Sequence, residues 1–300
     1  MAKVDLLEKL KQGTFFLDGA MGTQLMAAGI KGSRCNDYLN IQSPQTVIDI
    51  HKAYLNAGSD AIITNTFSAN SMVLGKHGLS DKAEQINLAG ARIARQAVDE
   101  IEPDRYVLGD IGPCGEFLPP AGKANPEDVK EAFRAQAQAL AEGGVDGFII
   151  ETMMALKEMT IAVRAVQSVS ELPLFASFAF NPASDGFRTL MGIAPDTAIA
   201  KLLSLGVDAV GFNCGNLTMG QYIKLSEVYA DLLKDNEVLL LAEPNAGKPE
   251  LTETGAVYKL APDDFADAAQ KIHAAGAKIL GGCCGTSPEH IKVMVDRLKP

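Results

Sequence analysis

Three cysteines stand where they could do chemistry together: Cys214 in GFNCG, and the adjacent Cys283 and Cys284 in ILGGCCGTSPEH. On a regular strand neighbouring side chains point to opposite faces. The pair can therefore share a task only where the backbone bends, and Gly281, Gly282 and Gly285 permit a bend. Three thiolates suit Zn2+ and leave a fourth coordination position open for a substrate. One cysteine followed by a vicinal pair differs from the CxxC knuckles of structural zinc sites. Plainer readings stand beside this one: a lone buried cysteine packs as a small apolar residue, and the pair could close a strained disulfide. A closed four-thiolate site needs one more ligand, for which Cys114 is the candidate. Five cysteines in 300 residues do not read as a disulfide framework; in a reducing compartment, clustered cysteines point to metal or catalysis.

The elements that must position these residues repeat along the chain. Four segments, AGSDAIITNTF (57–67), GGVDGFIIET (143–152), LGVDAVGFNCG (205–215) and AGAKILGGCCG (275–285), share a helix-ending glycine, a polar hinge, an apolar run and a polar or cysteine end. Four more apolar runs lie between them: FFLDGA (15–20), YVLGDIGP (106–113), PLFASFAF (173–180) and VLLLAEPNAG (238–247). Alanine-rich stretches with apolar residues at helical spacing fill the intervals. Eight strands alternating with helices predict a (β/α)8 TIM barrel, one domain over residues 1–300. A doubly wound open sheet is the competitor, disfavoured by the count and by the lack of a GxGxxG turn.

Helix-to-strand hinges are short, whereas long loops follow the third, fifth and seventh expected strands, and barrel enzymes build their sites at that C-terminal face. The strand ends gather Asp18, Asn65, Thr66, Asp110, Glu151, Cys214, Glu243, Asn245, Cys283 and Cys284. The four carboxylates among them could form an acid-base set, cap helices or bind an ammonium. His51, His77, His273 and His290 fall on helices or their flanks and read as surface or packing residues. No lysine closes a strand, so Schiff-base chemistry lacks its nucleophile. A formal charge of −10 disfavours nucleic acid. No apolar run is long enough to cross a bilayer, and the first residues lack a signal-peptide core, so the expected location is cytoplasmic.

With the strand ends in place, DGAMGT (18–23), NTFSAN (65–70), GDIGPCGE (109–116), ETMM (151–154), GFNCG (211–215), EPNAGKP (243–249) and GGCCGT (281–286) resemble the homocysteine S-methyltransferase barrel, closest to the homocysteine-binding module of cobalamin-dependent methionine synthase. The resemblance runs from about Phe15 to His290. It implies that Cys214, Cys283 and Cys284 bind one catalytic zinc and that Asn245 helps complete the metal site when substrate is absent. It places the amino-acid end of homocysteine at Asp18, Gly19, Ala20 and Glu151, with Asn65, Thr66 and Asn213 as further substrate contacts. A free thiol with a pKa of about 8.5 is mostly protonated at neutral pH, and zinc favours its thiolate. The implied product is methionine. The implied donor is methylcobalamin or another methylcorrinoid carried by a separate protein or module, because these 300 residues hold no corrinoid domain. S-methylmethionine or betaine is the alternative donor, although relatives using S-methylmethionine tend toward GGCCRT where this chain has Gly285. A reading of another class is a non-catalytic barrel with a structural four-cysteine zinc. Cys114 replaces the threonine of GPTGE-like relatives, and Cys35 has no counterpart in the motifs.

Overall fold

The computed structural model describes residues 3–30, 35–252 and 255–299. The expected domain span of 1–300 also takes in residues 1, 2, 31–34, 253, 254 and 300, which lie outside the described residues. Eight parallel strands form one sheet: β1 (Phe15–Phe16), β2 (Ala61–Ile63), β3 (Tyr106–Ile111), β4 (Gly147–Met153), β5 (Leu174–Phe178), β6 (Ala209–Asn213), β7 (Leu239–Glu243) and β8 (Ile279–Leu280). They lie in the order β1-β8-β7-β6-β5-β4-β3-β2, each beside its neighbour in sequence, with helices between them along the chain. This is the expected (β/α)8 barrel. Among the described residues no helix is long and apolar enough to cross a membrane.

Strand alternation sorts the barrel into two cores. Phe15, Leu17, Ala61, Tyr106, Leu108, Ile149, Phe175, Ala209, Leu241 and Ile279 fill the interior, and Leu6 and Leu10 of the helix Leu6–Leu10 join the same cluster. The alternate residues, among them Phe16, Val107, Phe148, Val210 and Leu280, pack outward into the larger cluster that the helices complete. Both faces of each strand are thus apolar, as a covered parallel sheet requires.

The repeated Gly-x-Asp hinges have a structural purpose beyond the turn. Gly58, Gly144 and Gly206 take φ of 104°, 90° and 70°, the left-handed region that ends a helix at little cost for glycine. The aspartate two residues on then reaches back to the neighbouring strand. Asp60 accepts from Phe16 N–H at 2.9 Å, Asp146 from Val107 N–H at 2.7 Å, and Asp208 from Leu174 N–H at 2.8 Å. Asp60 matters most, because β1 and β2 share no ladder. The ring closes there through Asp60 N–H to Phe16 O at 2.6 Å, its carboxylate bond to Phe16, and Ile63 N–H donating to the Asp18 carboxylate at 3.0 Å. Arg105 pairs with the other oxygen of Asp60.

The long loops after β5 and β7 are not plain coil. Each folds into a short antiparallel hairpin, Asn181–Ala183 with Gly186–Arg188 and Glu250–Thr252 with Gly255–Val257. Three-residue strands carry too short an alternation to stand out in the sequence.

Removing the buried Asp60 carboxylate strands Phe16 N–H and Arg105 together. Asp60→Ala is expected to lower unfolding stability by about 2–3 kcal/mol in urea denaturation, whereas Asp231→Ala, in an exposed i,i+3 pair with Lys234, leaves the midpoint essentially unchanged. His51, fully buried in the helix Pro44–Asn56 with neither ring nitrogen bonded, has its pKa pushed down by burial to about 3. An unfolded histidine titrates near 6.5. The neutral ring therefore supports full stability above about pH 6.5 and loses it as pH falls toward about 3. His51→Leu is expected to flatten the acid side of a plot of urea midpoint against pH.

Candidate functional site

Continuing the inward set of each strand by two residues carries the interior from apolar to polar. Asn65 follows Ile63, Asp110 follows Leu108, Glu151 follows Ile149, Ser177 follows Phe175, Asn213 follows Gly211, Glu243 follows Leu241, and Cys283 follows Gly281. Five of these seven line one cavity of about 400 Å3 at the C-terminal ends of the strands, a volume typical of small-molecule sites. Asp18, Gly19, Ala20, Thr66, Cys214 and Cys284 line it as well.

Cys214 is out of step with the inward residues of β6 and reaches the cavity only because its own φ is 50°, followed by Gly215 at 82°. Tyr222 holds this turn by donating its hydroxyl to Cys214 O at 2.6 Å. The vicinal pair works differently from the sequence expectation. β8 ends at Leu280, so the pair lies beyond the strand and the alternation rule no longer binds it. The turn there is closed by Thr286 N–H to Cys283 O at 3.2 Å, and only Gly285, after the pair, has positive φ, at 83°. Gly281 and Gly282 serve by having no side chain: an added Cβ would meet Leu17 Cβ at 2.8 Å and Thr286 Cγ2 at 2.6 Å.

The three sulfurs converge, all within 4.8 Å of one another, with Cys214 Sγ and Cys284 Sγ 3.8 Å apart. Among the described residues this is the one cysteine, histidine and carboxylate group compact enough to hold a metal ion, and Cys114 and Cys35 stand outside it. The Cys114 thiol donates to Glu116 O at 3.3 Å and the Cys35 thiol to Asp37 at 3.5 Å. Hydrogen bonds from Cys214 and Cys283 draw the Cys284 thiol down to about 3, while hydrogen bonds to Cys214 and Cys284 and then burial push Cys283 up. Asn245 does not line the cavity. Its Nδ2 donates to Gly215 O at 2.9 Å, beside Cys214 in the chain, and its Oδ1 is buried without a partner. Cys283 N–H to Pro244 O at 2.9 Å and Ala246 N–H to Cys284 O at 2.9 Å lay the Asn245 loop along the cysteine turn.

Asp18, Asp37, Asp110, Glu151 and Glu243 bring five carboxyl groups to the same cavity, and among the described residues no lysine, arginine or histidine lines it. Burial first, then mutual repulsion, raises Asp110 and Glu243 well above the usual carboxylate range; burial also raises Asp18, and it carries Glu151 up to about 8. One oxygen each of Asp18, Asp110 and Glu243 is buried without a partner. The site is therefore a set of acceptors and soft donors awaiting positive charge.

Gly19 is bare because an added Cβ would meet Thr286 Oγ1 at 2.6 Å and Tyr54 at 3.0 Å. Thr66 lines the wall but is fully buried, its hydroxyl donating to Asp110 O at 2.9 Å. Asn65 donates to Asn36 O and Asn40 Oδ1 at 2.9 and 3.0 Å. Asn213, expected as a substrate contact, lies fully buried behind Glu151 and does not line the cavity. The sequence reading did not include Asp37, Ser177, Thr286, Tyr54 or Tyr222. Ser177 was findable by counting two from Phe175. Asp37 comes from a connection with no periodic signal, and the tyrosines from helices.

A family model described as homocysteine S-methyltransferase matches residues 15–298. The methionine synthase of Mycobacterium leprae is 37% identical over 305 aligned positions, and that of Mycobacterium tuberculosis 36%; each alignment takes in 96% of this chain. The chain spans only about a quarter of the length of these relatives, 24% and 25%. Among solved structures, the homocysteine methyltransferase MmuM from Escherichia coli in its metallated form superposes with a TM-score of 0.78 at 23% identity, over 96% of this chain and 97% of that one, a likeness of fold.

The Thr286 hydroxyl accepts from Ala20 N–H at 3.0 Å and donates to Cys283 O at 2.7 Å, fastening the Asp18–Thr23 segment to the cysteine turn. Thr286→Val keeps the shape and removes both bonds in a fully buried position. It is expected to lower unfolding stability by about 1–3 kcal/mol in urea denaturation.

Proposed function

This chain belongs to the homocysteine S-methyltransferase family, and from that premise we propose that it methylates the thiol of homocysteine to give methionine, with one zinc ion and a methylcorrinoid such as methylcobalamin as donor. The observation that carries this reading is the pairing of three converging thiols with a carboxyl-rich cavity. The donor set fits zinc: three soft sulfurs, and in Asn245 Oδ1 a buried acceptor without a partner on the adjoining loop. Cys214, Cys283 and Cys284 would hold the ion, and Asn245 would complete the site when substrate is absent. Zinc supplies Lewis acidity that favours the thiolate of an acceptor sulfur at neutral pH.

The chain's own residues select the rest of the acceptor. Its ammonium meets Asp18 and Glu151, whose uncompensated burial is relieved by a positive charge. Its carboxylate faces the first turn of the helix Met21–Ala27, which begins without a side-chain cap. No cavity histidine acts as a base, so the acceptor's proton leaves because its sulfur is activated rather than because a side chain removes it. Methyl transfer then forms the sulfur–carbon bond as the donor's bond to carbon breaks. The corrinoid belongs to a separate protein or module in this reading.

Gly285 favours this donor over S-methylmethionine or betaine. At its φ of 83° an added Cβ would sit 2.2 Å from Tyr258 Cβ, so the arginine of GGCCRT relatives does not fit this arrangement. Cys114 lies outside the thiol group, which speaks against a four-cysteine structural zinc.

Purified protein is expected to carry about one zinc per chain. Cys283→Ala should lose the metal and homocysteine binding, while Cys114→Ser keeps both. Methionine formation measured in parallel with methylcobalamin, S-methylmethionine and betaine should proceed with methylcobalamin; failure with all three would sink the reading. Glu151→Gln is expected to raise the KM for homocysteine by about tenfold or more, the loss of a charged hydrogen bond.

A further inference from the structure

Asn213 ends β6 inside the barrel, and both polar atoms of its side chain are engaged. Thr152 N–H donates to its Oδ1 at 2.8 Å, and the Ser177 hydroxyl donates to the same oxygen at 2.7 Å. A backbone N–H can only donate, so the carbonyl side of the amide must face Thr152 and its NH2 must face the other way. There Nδ2 lies 2.6 Å from Glu151 Oε2, 2.7 Å from Thr152 Oγ1 and 3.8 Å from Cys283 Sγ. One amide thus touches a cavity carboxylate, the backbone that carries it and the thiol cluster.

That backbone needs holding. Between Ile150 and Met153 β4 carries one residue more than β5, whose partners there are Ala176 and Phe178. The bulge places Thr152 at φ 59°, a left-handed conformation that is strained for a β-branched residue. Asn213 grips Thr152 at both N–H and hydroxyl. Without the extra residue, Met153, two positions beyond Glu151, would face the cavity instead of packing outward with Phe178.

We propose that Asn213 is a positioning residue that locks the Glu151–Thr152 bulge, aims Glu151 at the acceptor's ammonium and donates to the Cys283 sulfur. Recognition of the amino group and the arrangement of the thiols are thereby joined through one side chain. This rests on the reading of Glu151 as an ammonium site. Ser177 adds a second donor to the amide oxygen that Thr152 N–H has oriented.

The test uses the full chain loaded with Co2+ in place of zinc, as wild type, Asn213→Asp and Ser177→Ala. Two quantities are read: the thiolate-to-cobalt absorption band without acceptor, and the Kd values of homocysteine and of 4-mercaptobutanoate, which lacks the amino group. Asn213→Asp keeps the acceptor for Thr152 and Ser177 but loses the donors. It should reduce the preference for homocysteine by about tenfold, through weaker homocysteine binding alone, and shift the band. Ser177→Ala should move both in the same direction by less. A preference kept within about twofold, or an unmoved band, overturns the proposal. A wild type that does not distinguish the two thiols defeats the ammonium reading instead, and the band then decides the role of Asn213. Should Asn213→Asp not fold, Ser177→Ala is judged by the same two criteria.

Discussion

The crowding of buried acid groups governs this barrel. Five carboxyl groups and three thiols face one cavity that, among the described residues, no lysine, arginine or histidine lines. Burying ionised groups is costly unless they are paired, so these carboxyl groups hold their protons well beyond the usual range. The same feature makes the cavity selective. In the proposed reading, a metal cation among the sulfurs and an ammonium among the carboxyls would relieve it together.

Holding such groups together against their repulsion requires a rigid frame, and the frame is the closed sheet. Its interior is apolar from the helix Leu6–Leu10 up through the lower strand residues and turns polar only at the last inward position of each strand. The hinge aspartates stitch the other end of the sheet, each capping the first N–H groups of a neighbouring strand. Polar groups thus mark both rims, with function at one and closure at the other, as the asymmetry of barrels leads one to expect.

Local strain sits where the polar rim departs from regular alternation. Cys214 and Thr152 are the described residues other than glycine with positive φ, and the two flank the Asn213 amide, one in sequence and one in space. Each turns a strand end by one residue, Cys214 toward the sulfur cluster and Thr152 so that Met153 packs outward beyond Glu151. Tyr222 and Asn213 hold these turns with short hydrogen bonds. Strain of about 1–3 kcal/mol per residue persists only where the surrounding structure over-determines it, and here the fully buried Tyr222 and Asn213 side chains supply that hold.

The sequence by itself determined the order of eight strands, the face that carries the site and the identity of the three thiols, because these depend on periodicity and on residue type at strand ends. The Gly-x-Asp hinges were visible as a repeat, but their purpose was not, since each aspartate bonds a strand from an earlier part of the chain. The tertiary structure alone decided that the cysteine pair lies past its strand, that Cys214 needs a left-handed backbone to join it, and that Asn213 stands behind the cavity wall. It also brought in Asp37, Ser177 and Thr286. The physical reason is common to all of these. Alternation says which way a side chain points while a strand stays regular, whereas bulges, left-handed turns and hydrogen bonds between distant strands are set by the closure of the barrel.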